Sequence, residues 1–236
     1  MALPKINDVP KYELVIPSTK QAVKFRPFLV KEQKVLLMAM ESQDSKQIVN
    51  AITDTIKVCL LSDTDFNKLT SFDVEYLFIQ IRAKSVGERS NISLLCQQCD
   101  ESTEVVVNLE KIVVDVPKTA MSVKLNDQYT LKLRYPTYTS MLQNEIISQA
   151  KSATEMIYQL IVVCLDSLQS QEINIKFDDE PRDEVTKFLE GLTSQQFDQL
   201  VSFVQNSPKL THTINFDCKH CKHPNTVTLE GIQDFF

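Results

Sequence analysis

Glycine is scarce in this chain: its 236 residues include only Gly87, Gly191 and Gly231. A phosphate-cradling loop or a dinucleotide fingerprint needs several glycines at short spacing, so nucleotide chemistry by those routes is excluded. Histidine is equally rare. His212, His220 and His223 all fall beside one pair of cysteines, so a Ser-His-Asp or Cys-His arrangement would have to be built around that pair. Positive charge is in deficit too. Twenty-five Lys and Arg against 31 Asp and Glu leave a net charge of −6, without the basic concentration that a phosphate backbone requires. The longest apolar run, Leu160 to Leu165, is too short to span a bilayer, and the chain does not open on a cationic stretch with an apolar segment behind it. The expectation is a protein without membrane span or signal peptide, made in a reducing cytoplasm. Cys59 and Cys164, each inside an apolar helical pattern, then read as reduced core residues.

What is present is chiefly two Cys-x-x-Cys pairs, Cys96-Gln-Gln-Cys99 and Cys218-Lys-His-Cys221. Each lies between strand-like runs: Asn91 to Leu95 and Val105 to Leu109 around the first, Thr211 to Phe216 and Thr226 to Leu229 around the second. Each therefore reads as a hairpin with a metal knuckle at its tip. A two-residue gap lets both sulfurs of a turn face one ion, and four thiolates close the tetrahedral shell of a structural Zn²⁺ with no position left for catalytic water. The separation is long, with 118 residues between Cys99 and Cys218. A disulfide in each knuckle, or thiols left from a degenerate site, are the competing readings. A thioredoxin-like role fits less well, because that reactive cysteine opens a helix and here both flanks look like strands.

The order of elements recurs along the chain. Tyr12 to Ile16 and Ala22 to Arg26 predict a hairpin ended by Pro27, followed by helices over 31–41, 45–61 and 72–85. Glu75 lies near the place for helix-dipole compensation and Gly87 just past the last of these helices. Ser122 to Leu125 and Tyr129 to Arg134 predict a second hairpin ended by Pro136, followed by helices over 139–150 and 154–168. Lys24-Phe-Arg26 answers to Lys132-Leu-Arg134, Val58-Cys-Leu60 to Val163-Cys-Leu165, and Leu109-Glu-Lys-Ile112 to Leu229-Glu-Gly-Ile232. An internal duplication follows: an α+β fold of two pseudo-repeated halves, 1–115 and 116–236, each a β-hairpin, helices and a zinc-knuckle hairpin. A split zinc-ribbon-like site of four cysteines joins them, with one compact domain as the alternative. Residues 169–182 read as an insertion, whose Asp178-Asp-Glu-Pro181 opens a helix and is not a carboxylate active site.

Two helices are apolar on every side. Burial suits Ile157 to Leu165, whereas Val35-Leu-Leu-Met-Ala-Met40 near the N-terminus is the better docking face. Lys24-Phe-Arg-Pro-Phe-Leu-Val-Lys-Glu-Gln-Lys-Val-Leu-Leu-Met-Ala-Met-Glu-Ser42 and Phe72-Asp-Val-Glu-Tyr-Leu-Phe-Ile-Gln-Ile-Arg-Ala-Lys-Ser-Val-Gly-Glu88 resemble the signature stretches of the baseplate hub protein family of T-even-like, contractile-tailed bacteriophages. The resemblance implies a late viral protein without enzymatic activity, made in the host cytoplasm and needed to build the central hub of the tail baseplate, as hub component or as assembly factor. It implies other hub or hub-assembly proteins as partners; the charge balance argues against nucleic acid, and the lack of catalytic motifs against a small-molecule substrate. Cys96, Cys99, Cys218 and Cys221 are the candidate ligands of one structural Zn²⁺. Arg26-Pro27-Phe28 and Arg82-Ala-Lys84 are candidate structural or docking elements. A zinc-ribbon nucleic-acid or transcription module and a thiol oxidoreductase are the readings from other classes.

Overall fold

The computed structural model describes residues 9–114, 116–117, 121–143 and 152–235. Within them, helices and small antiparallel sheets make an α+β protein. Tyr12–Val15 (β1) and Ala22–Phe25 (β2) form the expected hairpin, with Val23 and Phe25 buried at alternate positions. Pro27, which has no N–H to donate, follows the paired stretch. The helix Val30–Glu41 (α1) starts where the Glu32 carboxylate accepts the Leu29 N–H at 2.7 Å and pairs with the Arg26 guanidinium at 3.1 Å. Asp44 caps Ser45–Cys59 (α2) by accepting the Lys46 N–H at 2.8 Å. Ser71–Val86 (α3) carries Asp73, not Glu75, as its first-turn acid, and the buried Asp73 carboxylate accepts the Ser18 N–H and hydroxyl at 2.9 and 2.5 Å. Gly87, at a φ of +137°, redirects the chain into the next strand.

Arg89–Leu95 (β3) pairs with Ser102–Asn108 (β4). Ser122–Lys124 (β5) and Thr130–Leu133 (β6) make the second predicted hairpin. Of the helix expected over 139–150, the structure shows Tyr138–Gln143 (α4), and residues 144–150 lie outside those described. Ala153–Cys164 (α5) ends four residues before its predicted end. Leu165–Gln169 is a strand (β7) on β6, continued by Asn174–Lys176 (β8) in a sheet of order β5-β6-β7-β8. The reason is pairing: Leu165, Ser167 and Leu168 face Leu133, Lys132 and Leu131, and the free edge of β6 takes a strand that apolar content alone reads as helix. α2 similarly ends at Cys59, and Leu60 bridges to Phe25. After a single turn over Phe177–Asp179 come Arg182–Glu190 (α6), behind Pro181, and Ser194–Gln205 (α7), which opens on a Thr193/Gln196 capping box. Thr211–Asp217 (β9) and Pro224–Glu230 (β10) form a second hairpin of seven-residue strands, followed by a short 3-10 helix over Ile232–Phe235.

The chain forms two compact units that cut it differently from its halves. One comprises the described residues of Met1–Phe66, Phe72–Asp115 and Lys209–Phe236, so both knuckle hairpins belong to it. The other comprises Asn67–Ser71 and the described residues of Val116–Pro208. In the first, Ile79 and Ala83 of α3 pack with Ile92 and Leu94 of β3, Val107 of β4, Ile214 of β9 and Leu229 of β10. That shared core docks the two hairpins, and each of its buried Ile, Leu and Val side chains contributes about 2 kcal/mol. In the second, Leu131, Leu133, Ile161, Leu165, Leu200 and Phe203 form the core.

Candidate metal centre

The two knuckles are built alike. β3 and β9 each end one residue before a cysteine, Cys96 and Cys218. Cys96 donates its N–H to the Glu101 carbonyl at 3.0 Å and accepts that of Asp100 at 3.0 Å; Cys218 does the same with His223 and Lys222 at 2.9 and 3.0 Å. The N–H of the second residue onward points at the sulfur in both: Gln98 to Cys96 Sγ and His220 to Cys218 Sγ, each at 3.4 Å. The residue after the second cysteine turns left-handed, Asp100 at φ 56° and Lys222 at φ 61°.

These turns bring the four sulfurs within 4.8 Å of one another. Cys96 Sγ lies 3.6 Å from Cys221 Sγ, and Cys99 Sγ lies 3.7 Å from Cys218 Sγ. A regular tetrahedron with Zn–S bonds of about 2.3 Å has edges of about 3.8 Å, so this donor set fits a four-coordinate thiophilic ion. Cys96 and Cys218 are buried, Cys99 is half-buried and Cys221 is exposed. The thiols are electrostatically unequal. The Cys221 N–H, then that of His220, hold Cys218 down to about 6 against desolvation. Cys96 is also lowered: desolvation opposes, but the N–H groups of Gln98 and Cys99 and the side chain of Asn225 outweigh it. Against the Glu101 N–H, desolvation and the three neighbouring sulfurs push Cys99 up to about 12. Cys221 is raised despite the His223 N–H, by desolvation and by the sulfurs of Cys96 and Cys218. Two thiolates are favoured and two resisted, the condition that a divalent cation relieves as it releases protons.

The other candidates separate cleanly. Among the described residues, none of His212, His220 and His223 joins the cluster. Asp178 lies against Arg134, with contacts of 2.6 and 2.5 Å, as an ion pair. Arg26 is structural, bonding to Glu32, to the Pro27 carbonyl at 2.8 Å and to Cys59 Sγ at 3.8 Å. Lys84 pairs with Glu88 at 3.2 Å and with Glu110, and lies 5.3 Å above the Tyr12 ring. Arg82 reaches Ser90 Oγ at 3.4 Å. The Leu109 and Leu229 stretches differ by two places: counted from the knuckle cysteines, Leu229 stands with Val107, and both are buried. Among the described residues, no helix is long and apolar enough to cross a membrane. Sequence reading missed Thr103 and Asn225, polar residues on strand positions that turn out to be buried.

The fold and the cluster define an α+β protein whose chemistry-bearing residues form a closed four-thiol centre joining two hairpins. Residues 9–236 match the family described as T4 bacteriophage base plate protein, and the chain belongs to that family: it is a baseplate protein of a T4-like phage. Comparison with curated proteins and with solved structures gave no match.

Proposed function

We propose that this baseplate protein serves the assembly of the central hub, as a hub component or as an assembly factor, through protein contacts and without catalysis. The observation that carries this reading is the surface of α1. Val35, Leu37, Met38 and Met40 are exposed, with Met38 at 60%. Leu37 and Met40 continue into an apolar groove of about 570 Å³ that Phe28, Ile52, Phe78 and Arg82 also line. A contiguous apolar surface of this kind marks a site of protein contact. The partners are other phage hub or hub-assembly proteins, met in the host cytoplasm during assembly and, for a permanent component, retained in the tail.

Cys96, Cys99, Cys218 and Cys221 hold one structural Zn²⁺ per chain in this reading, stapling hairpins that lie far apart in sequence. The ion supplies no chemistry beyond cohesion, since four thiolates leave it no open position. The duplication of 1–115 in 116–236 is supported by matched junctions: the Arg26 N–H meets the Cys59 carbonyl at 3.0 Å, and the Arg134 N–H meets the Cys164 carbonyl at 2.8 Å. The test is Met38→Asp, which should leave the protein folded and abolish its co-purification with the other hub proteins. Unchanged co-purification would remove α1 as the contact face. Elemental analysis of the reduced protein should return one zinc per chain.

A further inference from the structure

Each knuckle carries a buried polar residue seven places after its first cysteine, Thr103 after Cys96 and Asn225 after Cys218, exposed to 3% and 2%. Each reaches into the other knuckle. Asn225 Oδ1 accepts the Gln97 N–H at 2.9 Å, while its Nδ2 donates to Cys96 Sγ at 3.6 Å and to its own knuckle's His223 carbonyl at 2.8 Å. Thr103 Oγ1 accepts the Lys219 N–H at 3.3 Å and donates to Cys218 Sγ at 3.9 Å. So the residue after the first cysteine is held by the opposite knuckle, and so is the first sulfur. The two grips are reciprocal.

We infer that Asn225 and Thr103 are positioning residues of the metal centre: each knuckle orients and hydrogen-bonds the leading thiolate of the other, so that neither is a complete site alone. This rests on the metal reading above. A buried asparagine at a ribbon position that an apolar residue could fill is otherwise unfavourable, since burying an amide costs stability unless its groups are bonded. Here those groups bond a turn backbone and a sulfur. An N–H or O–H aimed at a thiolate lowers its negative charge, fixes its direction and keeps it bound to the ion, and groups of this kind are worth about 10- to 100-fold in metal affinity. Asn225 should be the stronger of the two, because its contact with sulfur is shorter and its amide binds at three points.

The experiment is Co²⁺ titration of the full reduced chain, read by the thiolate-to-cobalt charge-transfer band, with Zn²⁺ affinity measured by competition against a chromogenic chelator. Asn225→Asp is the decisive variant. It keeps an oxygen for the Gln97 N–H, loses the donor to Cys96 and sets a carboxylate against the sulfur. We expect affinity to fall by about 100-fold and the band to shift, with far-ultraviolet circular dichroism unchanged. Thr103→Val should weaken binding by about tenfold and Thr103→Ser should restore it. Folded variants with parental affinity and an unshifted band would overturn the inference while leaving the metal reading intact. A parent chain that takes up no cobalt would overturn both.

Discussion

Two hairpin-to-helix junctions, one in each compact unit, share a backbone and differ in what their arginines hold. α2 and α5 both end on a cysteine. The leucine after each is extended, Leu60 at φ −67°, ψ 131° and Leu165 at φ −69°, ψ 128°, and each is bridged to the preceding hairpin. Beyond that point the units part. Leu60 makes one bridge and the chain leaves, whereas Leu165 begins β7 and the sheet grows to four strands. Arg26 is almost enclosed and pairs with the nearly buried Glu32 at the start of α1; Arg134 pairs with Asp178, which is 62% exposed. The same main-chain junction thus supports an internal ion pair in one unit and a surface one in the other. Main-chain hydrogen bonds and an apolar strand–helix contact are enough to set the junction, and the arginine side chain is left to be used for different ends.

The largest expected effect separates the units through the metal. If the four cysteines hold an ion, a strong chelator should destabilise the first unit by about 4 kcal/mol, the linkage at a free-ion concentration about a thousandfold above the dissociation constant. Hydrogen exchange should rise in β3, β4, β9 and β10 and stay unchanged in β5 to β8. Cys99→Ser or Cys221→Ser should reproduce the pattern. Equal loss of protection in both units would mean that the centre does not act locally on the hairpins it joins.

Next comes the arginine comparison itself. Arg26→Ala leaves the nearly buried Glu32 with only the exposed Lys31 ammonium, at 3.4 Å, as a cation and should cost about 2–3 kcal/mol, whereas Arg134→Ala removes a pair whose carboxylate is largely exposed, worth about 1 kcal/mol or less. Denaturant unfolding of the two variants checks this. Equal costs would break the distinction between an internal and a surface pair.

Much of this arrangement was legible in the sequence, for identifiable reasons. The knuckles were, because cysteine spacing is itself the geometry of the turn, and so was the recurrence of Val-Cys-Leu after a hairpin. The ends of α2 and α5 were not. Val58-Cys-Leu60 and Val163-Cys-Leu165 are as apolar as the helices they finish, and only strand pairing with Phe25 and Leu133 stops them. Asp73 does not stand out from Glu75 in the sequence, because its partner, Ser18, lies 55 residues away. Thr103 and Asn225 were hidden for a related reason: a threonine or asparagine on a strand reads as solvent-facing until the opposite hairpin is in place.

A pH titration probes the first unit separately. Burial pushes Glu75 up to about 7. Below about pH 4.5 the carboxyl is neutral in both folded and unfolded chains, so it carries no penalty. As the pH rises toward 7 the unfolded chain ionises first, stability falls, and the loss levels off above the folded-state value. Glu75→Gln should therefore be neutral at about pH 4 and stabilise by about 2 kcal/mol at about pH 8. Denaturation midpoints of parent and variant at the two pH values decide it, and a variant without this pH-dependent gain would show that Glu75 ionises in the fold without cost.

The smallest effect compares the knuckles at their tightest point. Asp100 and Lys222 occupy the same left-handed position, with φ of 56° and 61°. A left-handed residue with a Cβ costs about 1–2 kcal/mol, and aspartate is among the few that visit that region readily, because its short polar side chain can bond locally. Lysine has no such compensation. Glycine would remove the steric cost but add about 0.5–1 kcal/mol of chain entropy to be lost on folding. Lys222→Gly should therefore stabilise the protein by about 0.5 kcal/mol, and Asp100→Gly should be neutral or slightly destabilising. Paired melting curves at one saturating metal concentration would resolve the difference. The opposite order would show that the Lys222 side chain makes a favourable contact that outweighs its backbone strain, and that the two knuckles, alike in hydrogen bonding, are unlike in what stabilises their turns.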